Sequence, residues 1–136
     1  MTFLRFKRLT RSLLTSDYPL PEEDDEVVEL LNMAYIYLVD QCDVLNLSTL
    51  DKSEAIQRLG QGSYMMRTPK LPEADEDELD VDDALGPVVA SLVASYLSEK
   101  KAILHQSRAD NGIRSYNAKV AEMVNKERYK ECSNDV

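Results

Sequence analysis

Apolar residues along this chain recur at intervals of three and four, the spacing of one helix face, and nowhere alternate strictly with polar ones over a run bounded by turn residues. Helix is therefore predicted and sheet is not. The first stretch, FLRFKRLTRSLL, sets Phe3, Phe6, Leu9 or Thr10, and Leu13 on one side and Arg5, Arg8 and Arg11 on another, a short amphipathic helix. Tyr18-Pro19-Leu20-Pro21 breaks it, because each proline drives its predecessor out of helical geometry. A second helix is expected from Pro21 or Glu22 to Cys42 or Asp43, with Val27, Leu30, Leu31, Ala34, Tyr35 and Leu38 as its apolar face. Acids from Glu22 to Glu26 crowd its first turns, where the helix dipole favours negative charge.

After a linking turn at Val44-Leu45-Asn46-Leu47, a third, short helix is expected from Leu50 or Asp51 to Leu59, capped by Ser48 or Asp51 and stopped by Gly60 or Gly62. From Ser63 to Asp80 the pattern lapses, and a loop of that length is often a binding segment. The strongest helix follows, capped by Asp82 or Asp83, with Pro87 in its first turn. Val88, Val89, Leu92, Val93, Tyr96, Leu97, Ile103 and Leu104 carry its face to Asp110, a length of about 40 Å. Asn111-Gly112 reads as a stop, and a closing helix from Ile113 to Lys130 sets Ile113, Tyr116, Val120, Met123 and Val124 on one side. The two are expected to fold back on each other, Leu92, Tyr96, Ile103 and Leu104 packing on Tyr116, Val120 and Met123. The expected fold is all-α: a small helical bundle with a long C-terminal antiparallel helix pair and an extended acidic loop. One domain spans 1–136, made of a basic N-terminal arm or helix (1–16), a helical part (17–62), the acidic loop (63–81) and the helical hairpin (82–131).

Composition changes this picture in one respect. With 136 residues, 43% of them hydrophobic, the chain fits one domain with a modest core. A net charge of −9 disfavours free duplex nucleic acid, whose binding depends on Lys and Arg neutralising phosphates. The average conceals a polarity: Met1 to Ser16 holds Arg5, Lys7, Arg8 and Arg11 and no acid, whereas Glu73 to Asp83 is nearly all acid with no base. Such a chain can offer surfaces of both signs to identical neighbours. Cys42 and Cys132 form no C-x-x-C pair and read as thiols of a reduced compartment. No secretory signal is recognisable, and the longest apolar stretch, Val88 to Leu97, is too short to span a bilayer, so a soluble intracellular protein is expected.

The chemistry-bearing residues are sparse. His105 has no Cys or acid at ligand spacing on its helix and reads as a surface or interface histidine. No nucleophile elbow and no glycine-rich phosphate cradle occurs. A calcium loop counted from Asp75 places Asp77 at position three, then fails: Leu79 falls at position five, Asp80 where glycine must turn, and Gly86 where a bidentate Glu is needed. No catalytic, cofactor or metal site is expected, and the chain is not expected to be an enzyme. The acidic run is either a solvated linker or an electrostatic strip for a basic partner. The basic helix can pack on the body, lie on a membrane or dock into a groove of another chain. The expectation is protein binding through Phe3, Arg5, Phe6, Arg8, Leu9 and Arg11, the aromatics as anchors, and through Asp75, Asp77 and Asp80 of the acidic segment.

The basic start and Y-P-L-P break, followed by P-E-E-D-D-E-V-V-E-L-L-N-M-A-Y-I-Y-L, resemble the opening of head-to-tail adaptor (connector) proteins of tailed bacteriophages. The later L-G-P-V-V-A-S-L-V-A-S-Y-L-S-E-K-K-A-I and Y-N-A-K-V-A-E-M-V are similar to the long and closing helices of that family. The resemblance covers Asp17 to Arg128 and consists of helix order and apolar pattern. It implies a homo-oligomeric ring, commonly of twelve copies, in a virion neck assembled in the host cytoplasm. Portal protein would lie on one side and a tail or neck protein on the other, with DNA passing through the lumen. An acidic wall suits that role, since it would not grip passing DNA. The contrasting expectation is a small acidic regulator or inhibitor that binds a host or viral protein.

Overall fold

The computed structural model describes residues 1–15, 18–42, 44–46 and 68–134, with side chains up to residue 123. The described chain is an all-α bundle of four helices: α1 (Phe3–Leu13), α2 (Asp24–Gln41), α3 (Gly86–Leu97) and α4 (Ala102–Asn134). The third helix expected from Leu50 or Asp51 to Leu59 lies outside the described residues, as does the Cys132 side chain.

The bundle is organised around α3, because its sequence GPVVASLVASYL carries no charge at all. Every residue from Val88 to Ser95 is buried, so this stretch has no solvent face and α1, α2 and α4 surround it. A helix that is apolar all round must be covered on all sides. Asp82 accepts a hydrogen bond from the Ala84 N–H and opens a 3-10 turn, Asp83–Leu85, that leads directly into α3. The apolar face expected for α2 is the one observed: Val27, Leu31, Ala34, Tyr35 and Leu38 are buried.

The antiparallel pair at the C-terminal end is present, but its turn is elsewhere. α3 stops at Leu97, residues 98–101 turn the chain, and α4 runs without interruption through Asn111 and Gly112. Polar Ser98-Glu99-Lys100-Lys101 interrupts the apolar pattern, and Tyr18 hydrogen-bonds Glu99 across the turn. Gly112 serves the packing instead of ending a helix. A Cβ at that position would lie 2.5 Å from Cγ2 of Val88, so glycine lets α4 cross α3 at this closeness. The hairpin therefore sets Val88 beside Gly112, and Tyr116 within 3.3 Å of Asp82. The shifted turn also corrects the packing. Ile113, Tyr116 and Val120 are buried as expected, whereas Ile103, Leu104 and Met123 are exposed.

Candidate interaction surfaces

The basic helix and the acidic segment meet inside one chain. Thr2 caps α1, its side-chain oxygen accepting from the Arg5 N–H at 3.2 Å. The Phe3 N–H donates to the carbonyl of Asp77 at 2.8 Å, and the Leu4 N–H to that of Asp75 at 3.0 Å. These are the first donors of the helix, which no helix can satisfy internally. The Leu79 N–H returns a bond to the Met1 carbonyl at 2.9 Å, and Thr2 and Glu78 form an isolated antiparallel bridge. Residues 73–83 thus strap the start of α1 to the bundle, and their negative charge lies where the α1 dipole is positive.

Lys7 ties the strap from the other side. Its Nζ lies 2.9 Å from Asp24 and 2.7 Å from Asp75, and 4.7 Å from the centre of the Phe3 ring. The side chain is only 8% exposed. Burial works to lower the pKa of this ammonium, but the hydrogen bonds it donates to Asp75 and Asp24 outweigh it and the pKa is raised. Lys7 was legible as a special position. It falls in the stripe Phe3, Phe6, Lys7, Thr10 that α1 buries, and a base there requires carboxylates opposite it. Thr10 in the same stripe satisfies its hydroxyl by donating to the Phe6 carbonyl at 2.8 Å.

The strap carboxylates are largely spent on the chain itself. Asp77 accepts from the N–H groups of Glu73 and Ala74 at 2.8 and 2.9 Å, and Asp80 accepts from that of Lys70 at 2.8 Å. Asp75, Asp77 and Asp80, expected as a strip for another chain, here shape and dock their own segment. Phe3 and Phe6, expected as anchors on another chain, are not available for that role. They are 1% and 0% exposed and stack with ring centres 6.2 Å apart, so they anchor α1 to its own core. Leu9 is half-buried against that core. Arg5, Arg8 and Arg11 are exposed, and among the described residues none of them forms an ion pair.

His105, expected at a surface or interface, is buried on α4 at 2% exposure, and neither ring nitrogen has a hydrogen-bond partner among the described residues. Desolvation holds its pKa below the ordinary imidazole value, the positive charges of Arg108 and Lys101 add to this, and the carbonyl of Leu13 opposes it. This burial was not legible, because His105 was expected on one long helix ending at Asp110 and instead lies in the first turns of α4.

Two outward regions remain. Tyr37 on α2 donates to Asp110 on α4 at 2.7 Å, which pushes its phenol pKa up to about 12. Beside this link, Ser95, Tyr96, Ala102, Ile103, Gln106 and Ser107 line an open groove, and Ile103 is 84% exposed. The outer side of α2 carries Asp25, Glu26 and Glu29, then Met33 and Ile36 at 51% and 60% exposure, then Asp40. Sequence reasoning overlooked Met33 and Ile36, although both lie off the buried stripe of α2. Among the described residues, no group of three or more His, Cys, Asp or Glu is placed to hold a metal ion, and no helix is long and apolar enough to cross a membrane. No protein-family model, curated protein or solved structure matches the chain.

Proposed function

We propose that this chain is a structural protein that works by binding other chains: a ring-forming adaptor of a virion neck that joins a portal to a tail or next neck protein. Support comes first from the surface. Met33, Ile36, Ile103 and Leu104 stand exposed on regular helices, beyond what the single core buries. Large exposed apolar side chains grouped on rigid elements suit protein contacts. The helix order and apolar pattern that resemble phage adaptors supply the identity of the assembly, and the acidic average suits a lumen through which DNA passes. The reading assigns no catalysis to the chain.

The test is native mass spectrometry of the purified protein, alone and with a candidate portal. A ring-sized assembly is expected. A chain that stays monomeric or dimeric in both conditions overturns the adaptor reading and favours the small acidic regulator.

A further inference from the structure

We propose that the outer face of α2 is the docking surface for the arginine face of α1 of a second copy, so that copies join through two different surfaces. The inference rests on the adaptor reading for the existence of copy-to-copy contact, and supplies the contact itself. Its basis is charge complementarity between two exposed faces of opposite sign, the arginines of α1 and the acids of α2. From Glu22 to Gln41 there are seven acids and no base, and α1 holds four bases and no acid. Among the described residues, the ion pair that joins these elements is that of Lys7 with Asp24. The remaining cations, Arg5, Arg8 and Arg11, point outward, and so do Asp25, Glu26 and Glu29.

Apolar groups accompany the charges. Met33 and Ile36 lie one to two turns beyond Glu29 on the same side of α2, and half-buried Leu4 and Leu9 flank the α1 arginines. Helix against helix, this arrangement buries an apolar centre and leaves charge pairs at its rim, which set orientation more than affinity. A patch of one sign cannot meet itself, so α1 of one copy meets α2 of another: reciprocated, the contact makes a two-fold dimer, and passed on head to tail it closes a ring if the rotation allows. Duplex DNA or an anionic membrane would meet the three arginines but be repelled by the acidic face of the same small protein.

The experiment compares sedimentation of the full chain with two charge-reversed variants: Arg8→Glu with Arg11→Glu, and Glu26→Lys with Glu29→Lys. All four positions are exposed, so helical circular dichroism is expected to match the parent, with the thermal midpoint lowered slightly in the Glu26→Lys variant by lost charge at the start of α2. The parent is expected to form a high-mass species, each variant to lose it, and an equimolar mixture of the two to regain it, as is a chain carrying all four changes. Variants that assemble as the parent does overturn the docking pair and leave the adaptor reading standing. A parent that is monomeric at every concentration, alone and with a candidate portal, overturns both. Binding of duplex DNA or anionic vesicles that depends on Arg8 and Arg11, without assembly, also overturns the docking pair.

Discussion

The strap at 73–83 and the outer face of α2 are both densely acidic, yet their carboxylates are in opposite states. In the strap, Asp77 and Asp80 take up backbone N–H groups of an irregular segment, and Asp75 takes up Lys7. Along α2 beyond its first turn, backbone N–H groups are already committed to the helical ladder, so Glu29 has nothing local to bind and faces outward. The difference lies in the backbone beneath the charges. Irregular chain has donors to be met and uses nearby acids for them, whereas a regular helix has none and leaves its acids for another molecule. Charge density alone does not mark a docking surface.

The largest test of this contrast removes what the strap holds down. Phe6 is fully buried, and Phe6→Ala is expected to cost about 3–5 kcal/mol in urea unfolding through lost burial and the cavity left behind. Deletion of residues 1–16 is expected to unfold the chain for the same reason; a deletion that leaves stability intact would show α1 to be a dispensable arm. Lys7→Met comes next, at about 1–2 kcal/mol. It removes the cation between Asp24 and Asp75, but both acids are half-exposed and regain water. A cost that does not shrink in high salt would mean the loss is one of packing and not of charge.

How much of this was legible depends on whether a feature is local. The α2 stripe and the buried Ile113, Tyr116 and Val120 follow from spacing alone, although Leu30 of the first stripe is half-buried and Met123 of the second is exposed. The hairpin turn was not, because Asn111-Gly112 is a strong local stop signal overridden by a tertiary demand: Val88 needs the space that a Cβ at position 112 would fill. A mid-helix glycine costs about 1 kcal/mol against alanine, and close packing of α3 on α4 offsets it. The strap was unreadable for a similar reason. Nothing in the spacing of acids from Glu73 to Asp83 announces that their carbonyls will cap a helix some seventy residues earlier in the chain. Lys7 was the available clue.

Intermediate effects sharpen the contrast within the strap and beneath α1. Asp77→Ala removes the acceptor for two backbone N–H groups and is expected to cost about 1 kcal/mol, the scale of a lost cap. His105 gives an acid response separate from the strap. Its pKa is depressed in the folded chain, so the unfolded chain binds the proton first as pH falls below the ordinary 6.5. Stability is therefore full above that value and declines through the depressed folded value, by at most about 1.4 kcal/mol per pH unit. His105→Leu is expected to flatten that part of a stability-against-pH curve; an unchanged slope would place its origin in another group.

The smallest expected effect on stability is the most informative one about function. Glu26→Gln with Glu29→Gln removes two charges from the outer face of α2, where Asp24 and Asp25 also crowd the first turns. Losing Glu26 weakens the interaction with the helix dipole by about 0.3–1 kcal/mol, and relief of repulsion among neighbouring acids works in the other direction. Stability in urea is therefore expected to change by less than about 0.5 kcal/mol, well below the cost of Asp77→Ala. If α2 is the free acidic surface, the same pair of changes lowers assembly of the full chain while the fold is untouched. A stability loss as large as that of Asp77→Ala would mean these glutamates, like the strap, are spent on their own chain, and the contrast between the two acidic regions would collapse.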